Sequence, residues 1–542
     1  MPEHPLVYPS SVQYRPGRVQ SLDPDQEILL KQAWAFLLHY WGYGLDVPIE
    51  DIESKHAFVA SSVTALALHR SKTGHSLISE HKRKRSLFHR RKTQHEKPLS
   101  ATRAKQLARL HMEKYEHVES ASDFIKHVYH SYEGTESEPD IDSDVSSVQT
   151  FYTAHSILSD NSGNTSVTDG NGKNQKGNSQ QNLQTEQEKA GGKSEVDQIS
   201  AYKVSPQRNI RPFMAKYDPQ VLHSSFIAFS RNDLVDNLSL RYIRARKYVF
   251  NDAMQMLAKS LHWKAEEYRV NDMLMEGDAP AYIAGDTREV GFIKNFIVSK
   301  LFIRGQDRNK NPLFVFQSSK HFAADSPLPE TEKFALVVIE WCRLFLREVH
   351  ESVDTCSVMF DLTGFSMKNA DNAPIKFLMA MFEAHYPESL GIVIVHNAPW
   401  IFQTVWSIIK NWLDPVVSSK IHFTKGYKDL CELIEPKYIP EYLGGEDKAD
   451  LTYKPPSKEH TRPPKKKDAH YYELVARRHE LFTTFLDVTK RWVESTNPEV
   501  SSHYLRRKIY LSYELSDNYI ELDPYIRNPG VYDRDGTLVL RN

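Results

Sequence analysis

Charged residues beside buried runs are where this chain could do chemistry. Glu388 stands in "YPESLG", just before the strand-like run "LGIVIVHN". Lys420 stands in "LDPVVSSKIHF", at the mouth of the next strand-like run. A lone Glu or Lys is usually a surface charge. At the edge of a buried strand, however, an unpaired charge is costly, and pairing with each other or with a polar ligand group would offset that cost. Arg241, Arg244, Arg246 and Lys247 follow one another in "RYIRARKY", on a short helix. A guanidinium offers a planar fork of donors suited to phosphate. The chemistry on offer is recognition of a charged group.

Between Glu388 and Lys420 lies a second feature. Residues 399–413 read as a helix in which Trp400, Ile401, Phe402, Val405, Trp406, Ile408, Ile409, Trp412 and Leu413 are apolar. Gln403, Ser407, Lys410 and Asn411 form one narrow polar strip. A helix docked on a sheet needs an apolar arc of only about 100° or a little more. This arc is wider and carries three tryptophans. It fits a helix wedged between the sheet and the C-terminal segment. It also fits a helix that covers sheet and ligand in one state and touches membrane in another. No stretch reaches the roughly 18 uninterrupted apolar residues of a spanning helix.

Enzyme signatures are missing: GxSxG, HExxH, a Walker loop and GxGxxG do not occur. Asp533 and Asp535 in "VYDRDGTLVLRN" have the spacing of the DxDGT loop of haloacid-dehalogenase-type phosphatases. That loop needs a downstream domain to complete its site, so a hairpin turn at Asp535-Gly536 is expected instead. Asp140, Asp142 and Asp144 alternate like the start of a calcium loop but lack its glycine and closing glutamate, which reads as a solvated acidic linker. The basic run "KRKRSLFHRRK" (82–92) reads as solvated rather than as a nuclear address or a lipid patch. No enzyme and no metal site is expected.

The formal net charge is −1, which gives no global reason to bind nucleic acid. Cys342, Cys356 and Cys431 are too few and too scattered for a disulfide framework and fit a reducing compartment. The first residues, "MPEHPLVYPSSVQYRPGRVQ", show no secretory h-region, so a soluble intracellular protein is expected.

Composition and periodicity divide the chain into five parts. Residues 1–50 hold a helix, "DPDQEILLKQAWAFLLHYWGYG", capped by Asp23 or Asp25. Residues 51–215 form a largely disordered insert, with one or two helices after residue 100 and a Ser/Gly/Asn/Gln-rich stretch. Residues 216–289 are helical; Asn251 caps the last helix, which points Met254, Leu257, Leu261 and Trp263 inward. Residues 290–452 alternate strands and helices, and the strands run apolar on both faces. That pattern predicts an α/β domain with a mainly parallel sheet and right-handed crossovers. Residues 453–542 begin basic and proline-rich, continue with the helix "YYELVARRHELFTTFLDVTKRWVEST", and end in "LRRKIYLSYELSDNYIELDPYI", which reads as extended, a hairpin or strand.

Taken together these residues resemble the CRAL-TRIO family. "NLSLRYIRARKYVFNDAMQML" is similar to its helical entry segment. "SVMFDLTGFS", "YPESLGIVIVHNAPWIFQTVWSIIKNWLDPVVSSKIHF" and "YIPEYLGGE" are similar to successive landmarks of its lipid-binding domain. The nearest branch is the fungal phosphatidylinositol transfer proteins. The resemblance covers residues 219–450 or so and takes in the helix at 23–44.

The resemblance implies a helical entry subdomain and a sheet that floors a large apolar pocket closed by a mobile gate helix at 399–413. Trp400, Ile401, Phe402, Val405, Trp406, Ile409 and Trp412 would line that gate. It implies bound lipid and no cofactor. The phosphatidylinositol headgroup would be held by Arg246, Glu388 and Lys420. A hydroxyl residue common three places before the lysine is Val417 here, with Ser418 or Ser419 as substitutes. Members that also carry phosphatidylcholine place hydroxyls where Cys356 and Val358 stand. The second lipid is therefore expected to be something other than phosphatidylcholine, a sterol for example. The further expectations are a monomer, cytoplasmic and peripherally attached to intracellular membranes, making transient membrane contact, with a lipid kinase as a partner and no nucleic acid. The rival expectation is a module of the same fold that binds a small GTPase or lipid kinase without net lipid transport.

Overall fold

The computed structural model describes residues 12–52, 54–61, 210–413 and 415–540. The expectations for 62–209, including the disordered insert, its helices, the basic run and the alternating aspartates, lie outside the described residues.

The first helix, α1 (Pro24–Tyr40), starts at Asp23. The Asp23 carboxylate accepts from the Gln26 amide, the Gln26 side chain accepts from the Asp23 amide, and Pro24 occupies the first turn. Leu30, Ala33, Trp34, Leu37 and Leu38 are all but fully buried, because helices pack on more than one side of α1. Both flanks of the supposed insert join this core: Phe58, Ile210, Phe213 and Met214 are buried in it.

Three helices follow, α2 (Pro219–Phe229), α3 (Val235–Ala245) and α4 (Phe250–His262). Met254, Leu257, Leu261 and Trp263 do point inward. The cap of α4 is Val249, not Asn251, which sits inside the first turn. Helices α5 (Val270–Glu276) and α6 (Val290–Ile297) lead to the sheet.

The sheet has five strands in the order β1 (Leu301–Gln306), β2 (Pro312–Gln317), β3 (Cys356–Asp361), β4 (Leu390–His396) and β5 (Ile421–Thr424). The first pair is antiparallel and the rest are parallel. The crossovers carry α7 (Leu328–Leu344), α8 (Asn372–Ala384) and α9 (Phe402–Ile409). When strand order is monotonic and crossovers are right-handed, every crossover helix falls on one face. The side chains agree: α7 packs on Phe314 and Cys356, and α9 packs on Val395 and Leu362. The opposite face carries α10 (Tyr427–Leu433) and its following loops, which bury Leu313, Val315, Met359 and Ile394 completely.

Three further expectations need correction. The gate expected over 399–413 is regular only from Phe402 to Ile409. Its ends tighten into i→i+3 turns, with Phe402 N–H on Pro399 O at 3.0 Å and Trp412 N–H on Ile409 O at 2.9 Å. The stretch read as extended near the C-terminus lies in a long helix, α12 (Pro498–Ile526), paired with α11 (Ala469–Glu494). Its Tyr and Ile content suggested a strand. Its buried Leu505, Ile509, Leu515, Tyr519 and Leu522 keep a helical period, and packing overrides β propensity. The hairpin at Asp535-Gly536 is instead a helical turn, Val531–Arg534, with Asp533 held by Nη1 and Nη2 of Arg527 at 2.6 and 2.8 Å.

The tail is therefore built into the entry subdomain. Phe485 meets Trp34 edge to face at 5.6 Å. Lys508 and Asp236, both without exposure, pair at 2.9 Å, and the Trp34 indole N–H donates to the same carboxylate at 2.6 Å. Buried Glu27 accepts from Ser61, Ser501 and Trp492.

Candidate functional site

The N-terminal ends of β3, β4 and β5 come together at one edge of the sheet. Cys356 pairs with Leu390, and the Cys356 amide donates to Ser389 O at 2.8 Å. Gly391 is where β4 comes closest to its neighbour: a Cβ there would lie 2.8 Å from Ser357 Oγ and 2.9 Å from Asn311 Nδ2. Lys420 enters from the short helix Pro415–Ser418, and its Nζ donates to Leu390 O at 2.7 Å. Glu388 adopts a left-handed backbone (φ 54°), and Arg241 Nη1 donates to its carbonyl at 3.1 Å. Glu388 and Lys420 are thus set around the same stretch of backbone. The cost of a left-handed non-glycine residue is of the kind stored at binding sites.

Arg246 is the C-cap of α3 and half-buried, and its charge acts on Asp252 and Lys259. Glu388 acts electrostatically on Arg244 and on Tyr248. Arg241 is turned the same way; its Nη2 donates to Glu348 at 2.7 Å. Arg241 and Arg244 are three apart and share a helical face, while Arg246 closes the last turn on another face, its amide bonded to Tyr242 O at 3.1 Å. The left-handed Lys247 and Tyr248 then reverse the chain.

Asp354 and the segment before α1 add to this edge, and sequence reading assigned neither to it. Arg18 grips Asp354 through Nε at 2.7 Å and Nη2 at 2.9 Å. Arg15 reaches Asp354, Thr355 and Asn311. The Asp354 carboxyl stays below its usual range: burial raises it, but Arg241, Arg18, Arg244 and Arg15 outweigh that. Behind it, Glu340 is also held low. Burial raises it, but Arg343, Arg231, Lys264 and the Tyr386 hydroxyl at 2.5 Å prevail. These ion pairs fix the entry subdomain to the sheet.

The front of the sheet is incompletely covered toward the C-terminal ends of β2 and β3. The interior of a parallel sheet is ordinarily covered on both faces. Here Val315 and Met359 are fully buried on the back of β2 and β3, while Phe316, Val358 and Phe360 on the front are half-buried. Phe316 and Phe360 meet edge to face at 5.9 Å. On α8, Phe377 and Met381 are buried in the entry core, whereas Ile375 and Met379 are half-buried.

Helix α9, the segment the resemblance marks as a gate, lies over β4 and β5. Phe402 and Val405 are buried against Leu362 and Val395, and Trp406 meets Phe423 at 5.1 Å. Trp406, Ile409, Ile401 and Trp412 are half-buried, and Trp400 is 83% exposed. Trp412 lies under the Lys376 ammonium of α8 at 4.7 Å, so the chain just after α9 touches α8. Cys356 is buried and its thiol donates to Ser389 O at 3.4 Å, while Val417 is half-buried with its carbonyl on the Lys420 amide. Ser419 Oγ is occupied by Val416 O at 2.7 Å. No helix among the described residues is long and apolar enough to cross a membrane.

An incompletely covered apolar sheet front under a short apolar helix, on a sheet with a charged edge, is an arrangement suited to an amphiphilic ligand. The CRAL/TRIO domain model matches residues 298–445, and the CRAL/TRIO N-terminal domain model matches 193–259. The chain is 41% identical over 347 residues to the phosphatidylinositol transfer protein CSR1 of Eremothecium gossypii, covering 64% of this chain and 78% of that one. It is 36% identical over 329 residues to a CRAL-TRIO domain-containing protein of Schizosaccharomyces pombe, covering 61% and 71%. The crystal structure of Sfh5 matches 42% of this chain and 77% of that one at 16% identity, with a TM-score of 0.35. The chain belongs to the CRAL-TRIO family.

Proposed function

We propose that the protein is a phosphatidylinositol-binding lipid-transfer protein that exchanges lipid between its apolar slot and membranes by movement of α9. The observation that carries this reading is the half-buried apolar front of β2 and β3, which runs from Val358 to Phe316 and Phe360 at the C-terminal ends of the strands, away from the edge where Lys420 and Glu388 stand. The likeness to a phosphatidylinositol transfer protein supports the same reading. Apolar burial at about 25 cal/mol per Å² would roughly replace what acyl chains enjoy in a bilayer. Exchange would then be nearly balanced in free energy, and gate opening would set its rate. The headgroup contacts supply selectivity.

Within this proposal the protein is a carrier without catalysis, acting as a monomer that meets membranes transiently from the cytoplasm. It takes a second lipid other than phosphatidylcholine, since Cys356 is buried and Val358 offers no hydroxyl. Presentation of phosphatidylinositol to a lipid kinase is the downstream use we favour.

Native mass spectrometry with lipid extraction tests the proposal. Phosphatidylinositol should co-purify with the wild type and be lost from Lys420→Ala. A wild type without lipid, or a mutant carrying the same phosphatidylinositol, would contradict it.

A further inference from the structure

The basic, proline-rich stretch that follows the sheet domain has no part in the site described above. From Lys458 to Lys467 it carries five cations, Lys458, Arg462, Lys465, Lys466 and Lys467, against one acid, Glu459. It lies outside residues 298–445, which match the CRAL/TRIO model. It is nevertheless a fixed strap. The turn Lys458–Thr461 packs on the short helix Ala279–Ala284, and the Ser457 amide donates to His460 Nδ1 at 2.9 Å. The Lys465 amide donates to Pro524 O of α12 at 3.0 Å. Asp468 then caps α11, its carboxylate accepting from the Tyr471 amide at 3.0 Å. Between these anchors Pro463 and Pro464 restrict the backbone further.

The strap holds its charges out to solvent. Arg462, Lys465, Lys466 and Lys467 are all exposed, and none of them makes an ion pair among the described residues. Glu473 and Glu521, on the helices beneath, lie against His470 instead, at 3.4 and 3.9 Å. The Lys465 and Lys467 ammoniums stand over the Tyr525 and Tyr471 rings at 4.9 and 5.2 Å, which keeps their stems on the helix pair while the charges reach water.

The residue types select the partner. Three of the four exposed cations are lysines, hydrated point charges without the planar fork that grips a single phosphate. Tyr471 and Tyr525 are 5% and 4% exposed, so their rings offer no free faces on which nucleic-acid bases could stack. A row of point charges suits a diffuse anionic field, such as a bilayer with acidic lipids presents. Exposed Tyr472 beside the row suits the headgroup layer, where a ring with a polar tip sits well.

We propose that the strap Lys458–Lys467 is an electrostatic docking site for anionic bilayers, separate from the lipid slot, that directs the protein to leaflets rich in acidic lipid. This rests on the proposed lipid-transfer function and adds the choice of membrane to it.

The test is co-sedimentation of the full chain with phosphatidylcholine vesicles, with and without about one third phosphatidylserine. The wild type should bind the anionic vesicles at least about tenfold more tightly than the neutral ones, and the difference should fade as salt rises from about 0.05 to about 0.5 M. The triple variant Lys465→Gln, Lys466→Gln, Lys467→Gln should bind anionic vesicles about tenfold to a hundredfold more weakly at the lower salt. Lys465→Arg, Lys466→Arg, Lys467→Arg keeps the charges and should bind as the wild type does. In native mass spectrometry the glutamine variant should carry the same phosphatidylinositol as the wild type, showing fold and slot intact. Equal binding of wild type and glutamine variant to anionic vesicles, or of the wild type to both kinds of vesicle, would overturn the inference and leave the function standing. Salt-sensitive binding of single-stranded RNA that the glutamine variant loses, with vesicle binding unchanged, would overturn the bilayer assignment. Loss of phosphatidylinositol from the glutamine variant would overturn the separation of strap from slot. A wild type that carries no lipid yet binds anionic vesicles through the strap would contradict the function reading and support the docking site.

Discussion

Lys420 shows how one residue can be both anchored and available. An ammonium has three donors, and the bond to Leu390 O uses one of them while fixing the chain at the mouth of β5. The "YPESLG" segment is prepared in a comparable way. The left-handed Glu388 is held by Arg241, and the preceding His385 is stacked on Trp263 at 3.9 Å and 13°. Burial, then Lys264 and Lys259, push the His385 imidazole down to about 2. In the unfolded chain the ring takes its proton near the usual pKa of about 6.5. Below that pH the unfolded state binds a proton the folded state refuses, so this residue makes stability fall as pH falls from 6.5 toward 2. His385→Phe keeps a ring on Trp263 and removes the titration. Its urea midpoint should fall less steeply between pH 7 and 5 than the wild type's. Identical slopes would mean that other groups govern acid sensitivity.

At the scale of elements, the sheet and its crossovers were legible because each buried strand is a short apolar run and each helix has a clear period. The gate was legible as an apolar helix, but not its length. Pro399 and the bonds from Asn411 and Trp412 tighten both ends, and chain composition alone carries no record of that. Helix α12 was misread because its exposed face is rich in charge and its buried face includes Tyr519, Lys508 and Ser512, residues that mask the usual apolar stripe. The site was legible as types and not as partners: Glu388 and Lys420 share an edge, Glu388 acts on Arg244, and Asp354 and Arg18 meet across 336 residues. The gate also has a testable latch. The Lys376–Trp412 cation–π contact is worth about 0.5–1 kcal/mol at an exposed site. Trp412→Ala should therefore raise the rate of vesicle-to-vesicle phosphatidylinositol transfer about two- to fivefold if opening is limiting. A slower or unchanged rate would place the limiting step elsewhere.

For the whole molecule, the tail and the residues flanking 62–209 are part of one core with α1 and the entry helices. Glu340, Glu348 and Asp354 then tie that core to the sheet through Arg231, Arg241 and Arg18. Against this ion-paired body the gate is lightly held, burying chiefly Phe402 and Val405. Such an arrangement lets one wall of a pocket move while the headgroup end stays fixed. The slot is the central claim, and the most direct measurement is photo-crosslinking with a phosphatidylinositol that carries a diazirine in mid-chain, the adducts being mapped by mass spectrometry. The account predicts adducts on the front of β2 and β3, at Phe316, Val358 and Phe360, and on the inner side of α9. Adducts confined to α10, to α11 and α12, or to the exposed Trp400 would contradict it.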